Sequence, residues 1–100
     1  MVIKHDYYVY IMTNLRKSVL YIGVTNDLSR RIMEHNSGLT KGFTQRYKCH
    51  YLVYYEYFTD IIMAIQREKE IKKWRREKKE KLINDFNPEW DFLNLTKREI

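Results

Sequence analysis

The sequence predicts an α+β fold on three observations. Two short segments rich in aromatic and β-branched residues lie close together near the N-terminus, a third of the same character sits mid-chain, and most of the remainder carries a helical pattern. A hairpin plus a third strand with helices packed on it is an α+β arrangement. The first strand is expected over Tyr7 to Met12 (YYVYIM) and the second over Val19 to Val24 (VLYIGV), joined by a polar, hairpin-sized connection from Thr13 to Ser18. Alternation places Tyr8, Tyr10 and Met12 on one face and Tyr7, Val9 and Ile11 on the other. The third strand spans Tyr51 to Phe58 (YLVYYEYF). Large side chains on both faces call for helices covering the sheet at least in part.

Asn26 or Asp27 can cap a first helix that runs to about Asn36 and ends at Ser37-Gly38. Thr59 or Asp60 can cap a helical stretch from Ile61 to about Phe86, which Asn87-Pro88 stops. Those 26 residues are long for a small domain, so a break is expected near Trp74. The predicted order is β-β-α-β-α-α.

With 100 residues and 12.4 kDa the chain is expected to be one domain with a single small core, its centre lying over about residues 7–93. Lys and Arg total 19 against 13 Asp and Glu, giving a formal charge of +6. That balance favours a polyanionic partner, nucleic acid before an anionic membrane surface. A hydrophobic fraction of 44% argues against general disorder. Cys49 stands alone, which fits a reducing compartment, and no apolar run approaches the length of a membrane helix or of a secretory leader. A cytoplasmic protein without membrane attachment is expected, and no protein partner is implied.

Polar residues on apolar helix faces mark the chemistry. On the first helix Leu28 and Ile32 define the inward stripe, and Arg31 and His35 fall on or beside it, one turn apart, whereas Arg30 points away. Either Arg31 snorkels along the core edge with His35 beside it, or both converge on a site. On the next helix Ile61, Ala64, Ile65 and Ile71 form the apolar face, with Glu68 amid them and Glu70 on the opposite side. A carboxylate among isoleucines needs a cation, and two are open to it: a salt bridge to Arg31, or a metal. A single carboxylate with retained waters suits Mg²⁺.

From Arg67 to Lys81 there are nine basic and four acidic residues, interleaved with Trp74 and followed by Phe86 and Trp90. This is either a solvated helix face or a phosphate-tracking surface. His5, His35, His50 and Cys49 lack zinc-site spacing, and no Ser-His-Asp order, Walker loop or dinucleotide turn is present.

Tyr8-Val9-Tyr10, Tyr21-Ile22-Gly23, the run YIGVTNDLSRR, and Glu68 within AIQREKEIKKW together make the chain resemble the GIY-YIG nuclease superfamily. The likeness is to the small stand-alone bacterial branch, similar to the YhbQ group and to the N-terminal domain of the excision-repair nuclease. Gly42-Phe43-Thr44, Arg46-Tyr47 and Asn87-Pro88-Glu89-Trp90 extend it. Tyr8 replaces the glycine of the first triplet, and the C-terminal Asn of some relatives has only Asp91 or Asn87 as a counterpart. The resemblance implies a three-stranded antiparallel sheet flanked by helices and a metal-dependent endonuclease acting on nucleic acid, with DNA the expected form.

By this resemblance Glu68 would hold one Mg²⁺, or Mn²⁺ in its place, and Arg31 would clamp the phosphate. Tyr10 or Tyr21 would take the proton from water, with His35 a relay or a second phosphate donor. The expected nucleic-acid contacts are Thr25, Arg30, Thr44, Arg46, Lys72, Lys73, Arg75 and Arg76. The alternatives are a non-catalytic basic nucleic-acid-binding module on the same scaffold and, behind it, an interaction protein whose basic helix docks an acidic partner.

Overall fold

The computed structural model describes residues 5–37 and 46–94. Its elements are β1 (Tyr7–Thr13), β2 (Leu20–Thr25), α1 (Leu28–Ser37), β3 (Tyr51–Phe58), α2 (Ile61–Lys72) and α3 (Arg76–Phe86). The strands form one antiparallel sheet in the order β2-β1-β3. Among the described residues no helix is long and apolar enough to cross a membrane.

The central strand β1 is buried on both faces, as its all-apolar pattern requires: Val9, Tyr10, Ile11 and Met12 are all within the core. On one side Tyr10, Met12 and Leu52 pack against Leu28 and Ile32 of α1. On the other, Val9, Ile11, Ile22, Val53 and Tyr54 pack against Ala64, Ile71 and Ile83 of α2 and α3. The predicted alternation of β1 holds. In β3 it does not hold throughout, because Ile11 pairs with Tyr54 while Met12 pairs with Leu52. Val53 is thus the extra residue of a bulge, and Val53 and Tyr54 both face the α2–α3 layer.

The turns and helix ends follow from short polar side chains. Asn14 Oδ1 accepts from the amides of Ser18 at 2.9 Å and Val19 at 3.0 Å, while Lys17 takes the left-handed conformation (φ 59°). Asp27 and Asp60 cap α1 and α2, accepting from the amides of Arg30 and Ile62 respectively. The expected break falls between α2 and α3, where Trp74 is half-buried against the core with Lys78 Nζ 4.3 Å from its ring centroid.

At the far end of α3 the carboxamide of Asn87 is buried. Its Nδ2 donates to the carbonyls of Val53 (3.1 Å) and Asp91 (2.9 Å), and its Oδ1 accepts from the Asp91 amide (3.0 Å). It therefore ties the end of α3 to the bulge of β3. Beyond it, Leu93 and Asn94 run along the outer edge of β3: the Leu93 amide donates to the Leu52 carbonyl at 2.7 Å, and Asn94 Oδ1 accepts from the Leu52 amide at 2.8 Å. Asn87→Ala removes three hydrogen bonds from a buried place and is expected to lower the unfolding free energy by about 1–3 kcal/mol, measured by urea denaturation.

Candidate active site

The site begins with a glycine. Tyr10 and Gly23 are cross-strand partners, and a Cβ at Gly23 would lie 2.5 Å from both Cζ and Oη of Tyr10. Only a bare backbone lets the Tyr10 ring lie across β2 at this point. The ring delivers its hydroxyl to α1, where Arg31 Nε donates to it at 3.2 Å and His35 Nε2 lies 3.2 Å away. The Tyr21 ring closes the group, its centroid 6.2 Å from that of Tyr10 and 5.4 Å from that of His35, with its hydroxyl hydrogen-bonded to Tyr10 and Arg31. Four of the five residues expected to be catalytic are thereby in one cluster.

Burial sets the protonation states. Tyr10 is 1% exposed, and loss of hydration pushes its phenol up to about 12, against the opposing hydrogen bond from Arg31. His35, equally buried, is lowered to about 4, first by desolvation and then by the Arg31 charge. Its Nδ1 is buried without a hydrogen-bond partner among the described residues. Since an orphaned buried N–H costs more than an unused lone pair, the proton is assigned to Nε2, which donates to Tyr10. Tyr10 then directs its own proton at Tyr21. Arg31 is held more firmly charged by the Tyr10 hydroxyl and by Glu34, whose Oε1 accepts from Arg31 Nη1 at 3.1 Å. Glu34 is not among the expected site residues, although its i,i+3 spacing from Arg31 makes the pair legible.

Beside this cluster runs an open groove of about 450 Å³. Thr25, Asn26, Arg30 and Arg31 line one wall and Ile61 and Ile65 of α2 the other. Glu68 lies one turn beyond Ile65 on the same stripe, its side chain 14% exposed, with Lys72 Nζ 3.0 Å from Oε2. The cation on Glu68 is therefore Lys72 and not the expected Arg31. An i,i+4 pair within one helix is reached without any tertiary adjustment, and Arg31 is already engaged by Tyr10 and Glu34.

The expected nucleic-acid contacts divide. Arg30 is exposed in the groove wall, its Nη2 on Asn26 Oδ1 at 3.1 Å. The Thr25 hydroxyl accepts from the Asp27 amide at 3.1 Å and so shapes the start of α1. Arg46, Lys73 and Arg75 are exposed, Arg46 over the Tyr47 ring at 5.6 Å and Arg75 with its Nη1 3.8 Å from Glu77. Arg76 is tied to the β1–β2 turn, its Nη1 donating to the Ser18 carbonyl at 2.8 Å. Thr44, with Gly42 and Phe43, lies outside the described residues. Of the two counterparts for a C-terminal Asn, Asn87 is engaged in backbone bonds and Asp91 is exposed.

The buried phenol and imidazole make two effects measurable. Gly23→Ala must displace the end of the Tyr10 ring and is expected to cost about 1–3 kcal/mol of stability by denaturant unfolding. For His35, a folded value of about 4 against an ordinary 6.5 means that the unfolded chain binds the extra proton between those limits. Its contribution to stability is full above pH 6.5, falls by up to about 3 kcal/mol toward pH 4, and changes no further below. Denaturation across that range should show a shallower slope for His35→Gln than for the wild type.

Comparison with known proteins agrees with this geometry. The family model described as the GIY-YIG catalytic domain matches residues 6–81. A UPF0213 protein of Bacillus pumilus is 38% identical over 86 residues, covering 86% of this chain and 87% of that protein. A UPF0213 protein of Haloquadratum walsbyi is 42% identical over 82 residues, covering 81% and 91%. The solution NMR structure of a UPF0213 protein from Bacillus halodurans is similar in fold, with a TM-score of 0.56 and 33% identity over 85% of this chain and 89% of that one. These names state no activity; the family is one of nucleases. The chain belongs to the GIY-YIG catalytic domain family.

Proposed function

We propose that the protein is an endonuclease that hydrolyses phosphodiester bonds of nucleic acid, with DNA as the expected substrate and one divalent cation as its helper. The observation that carries this is the hydrogen-bonded cluster of Tyr10, Tyr21, Arg31 and His35 beside an open groove. Phosphodiester hydrolysis needs a positioned water, a cation for the phosphoryl oxygens and a route for the water proton.

Arg31 lines the groove and stays charged, so its guanidinium is placed to hold a phosphate from the α1 side. Tyr10 is too deeply buried, and its phenol too reluctant to ionise, to act on water directly. Tyr21 is only half-buried. Donors from Tyr10 and Arg31 face its oxygen, where negative charge gathers as a water proton is withdrawn. Tyr21 is thus assigned the proton-accepting role. Tyr10 and His35 are positioning residues behind it.

The chemistry of the donor set bears on the divalent cation. Among the described residues no three His, Cys, Asp or Glu side chains gather into a metal cage. One hard carboxylate, with waters and substrate oxygens completing the shell, is a pattern that suits Mg²⁺, and Glu68 fits it. When bound, the cation would neutralise charge on the phosphoryl oxygens, and Mn²⁺ would serve in its place. Lys72 must release the carboxylate for this to occur.

Because Lys72 already neutralises Glu68, a second reading has specific support: a basic nucleic-acid-binding module without catalysis. The test is nicking of supercoiled DNA in Mg²⁺ or Mn²⁺, with and without EDTA. Catalysis predicts cleavage that EDTA abolishes and that Glu68→Gln and Arg31→Lys each lower by about 10²–10³-fold. Thermal melts of both variants control for folding. Salt-sensitive binding with no cleavage under any of these conditions would select the binding module.

A further inference from the structure

The β1–β2 turn is not among the expected nucleic-acid contacts, yet it is fastened to the basic end of the helical layer. Arg76, the first residue of α3, donates from Nη1 to the Ser18 carbonyl at 2.8 Å and from Nη2 to the Lys17 carbonyl at 2.9 Å. Its Nε donates to Glu80 Oε2, also at 2.9 Å. A guanidinium held on three sides has its fork filled by protein oxygens. It cannot at the same time present that fork to a phosphate.

The turn it grips is ordered in its own right. Thr13 Oγ1 donates to the Val19 carbonyl at 2.7 Å, and Asn14 binds Ser18 and Val19. The turn displays Arg16 and Lys17 at the surface, the Lys17 ammonium 5.3 Å from the Phe92 ring centroid. Lys73 and Arg75, both exposed, come from the α2–α3 break immediately before Arg76. The two ends of the catalytic groove are therefore unlike. Ser18 is three residues from Tyr21, and Lys72, which reaches Glu68, adjoins the same break.

We propose that the β1–β2 turn and the α2–α3 break form one composite phosphate-binding surface for the nucleic-acid backbone as it passes Tyr21. Arg16, Lys17, Lys73 and Arg75 contact the phosphates, while Arg76 is a positioning residue that fixes the turn against α3. This rests on the nucleic-acid reading above and extends it to the direction the strand takes. It also reassigns Arg76, which the sequence alone placed among the contacts.

Counterion release makes the surface measurable. Each phosphate neutralised on duplex DNA adds about 0.9 to the slope of log binding constant against log salt. Binding of a fluorescein-labelled DNA duplex would be followed by anisotropy in EDTA, which suppresses cleavage. Arg16→Gln/Lys17→Asn is expected to weaken binding and to reduce the slope by about two; Asn tolerates the left-handed conformation of residue 17.

Arg76→Gln is expected to speed hydrogen exchange at the Ser18 and Val19 amides. Its loss of affinity should largely vanish in the background of the turn variant, because the brace then has no cations left to position. An unchanged slope for the turn variant, with the wild type still binding steeply with salt, would overturn the composite surface and leave the nucleic-acid reading standing. Absence of duplex binding by the wild type even at low salt would overturn both. An affinity loss for Arg76→Gln that is fully additive, with the turn amides still protected, would return Arg76 to direct contact.

Discussion

A phenol buried at the centre of β1 must find hydrogen-bond partners, and that requirement organises the molecule. The ring of Tyr10 can lie across the neighbouring strand only because residue 23 has no side chain. Once there, its oxygen has to be met from α1, and only a helix rotated to bring Arg31 and His35 inward can do so. Leu28 and Ile32 then fall on the apolar face of the sheet as a consequence of the same rotation. Packing and site geometry are thus one constraint. It also explains why His35 remains uncharged: a buried imidazole next to an obligatory guanidinium has no reason to take a proton.

The opposite face is built differently. Ala64, Ile71 and Ile83 are ordinary core residues, and the helical layer keeps its charges at the rim. Glu68 sits where the two regimes meet, shielded enough for its charge to matter and close enough to Lys72 to be compensated. A carboxylate balanced by a flexible ammonium is more easily recruited than one locked in a bidentate arginine pair, because a lysine side chain can swing away at little structural cost.

Much of this was legible from residue order. The alternation of β1, the capping aspartates, the break near Trp74 and the inward stripe carrying Arg31 and His35 all follow from local periodicity and short-range hydrogen bonding. What escaped was decided by partners distant in sequence or by competition between nearby ones. The Val53 bulge leaves no mark in the run YLVYYEYF, since both registers place apolar residues inward. Glu68 had two plausible cations, and the nearer one took it once Arg31 was engaged elsewhere. Arg76 looked like any surface base until the hairpin carbonyls it serves came within reach. The glycine of the YIG triplet was visible as a motif letter, but its physical reason, a ring laid across a strand, requires three dimensions.

The segment along the outer edge of β3 has a consequence of another kind. An edge strand offers unpaired amides and carbonyls as a template for a second chain. Here Leu93 and Asn94 occupy the amide and carbonyl of Leu52, and Asn94 Nδ2 also takes the His50 carbonyl at 2.9 Å. A sheet so hemmed cannot grow sideways past this strand by recruiting copies of itself. A few residues of irregular chain thereby act as a guard against runaway cross-strand assembly, a hazard that an aromatic-rich strand such as YLVYYEYF would otherwise carry into a crowded cell.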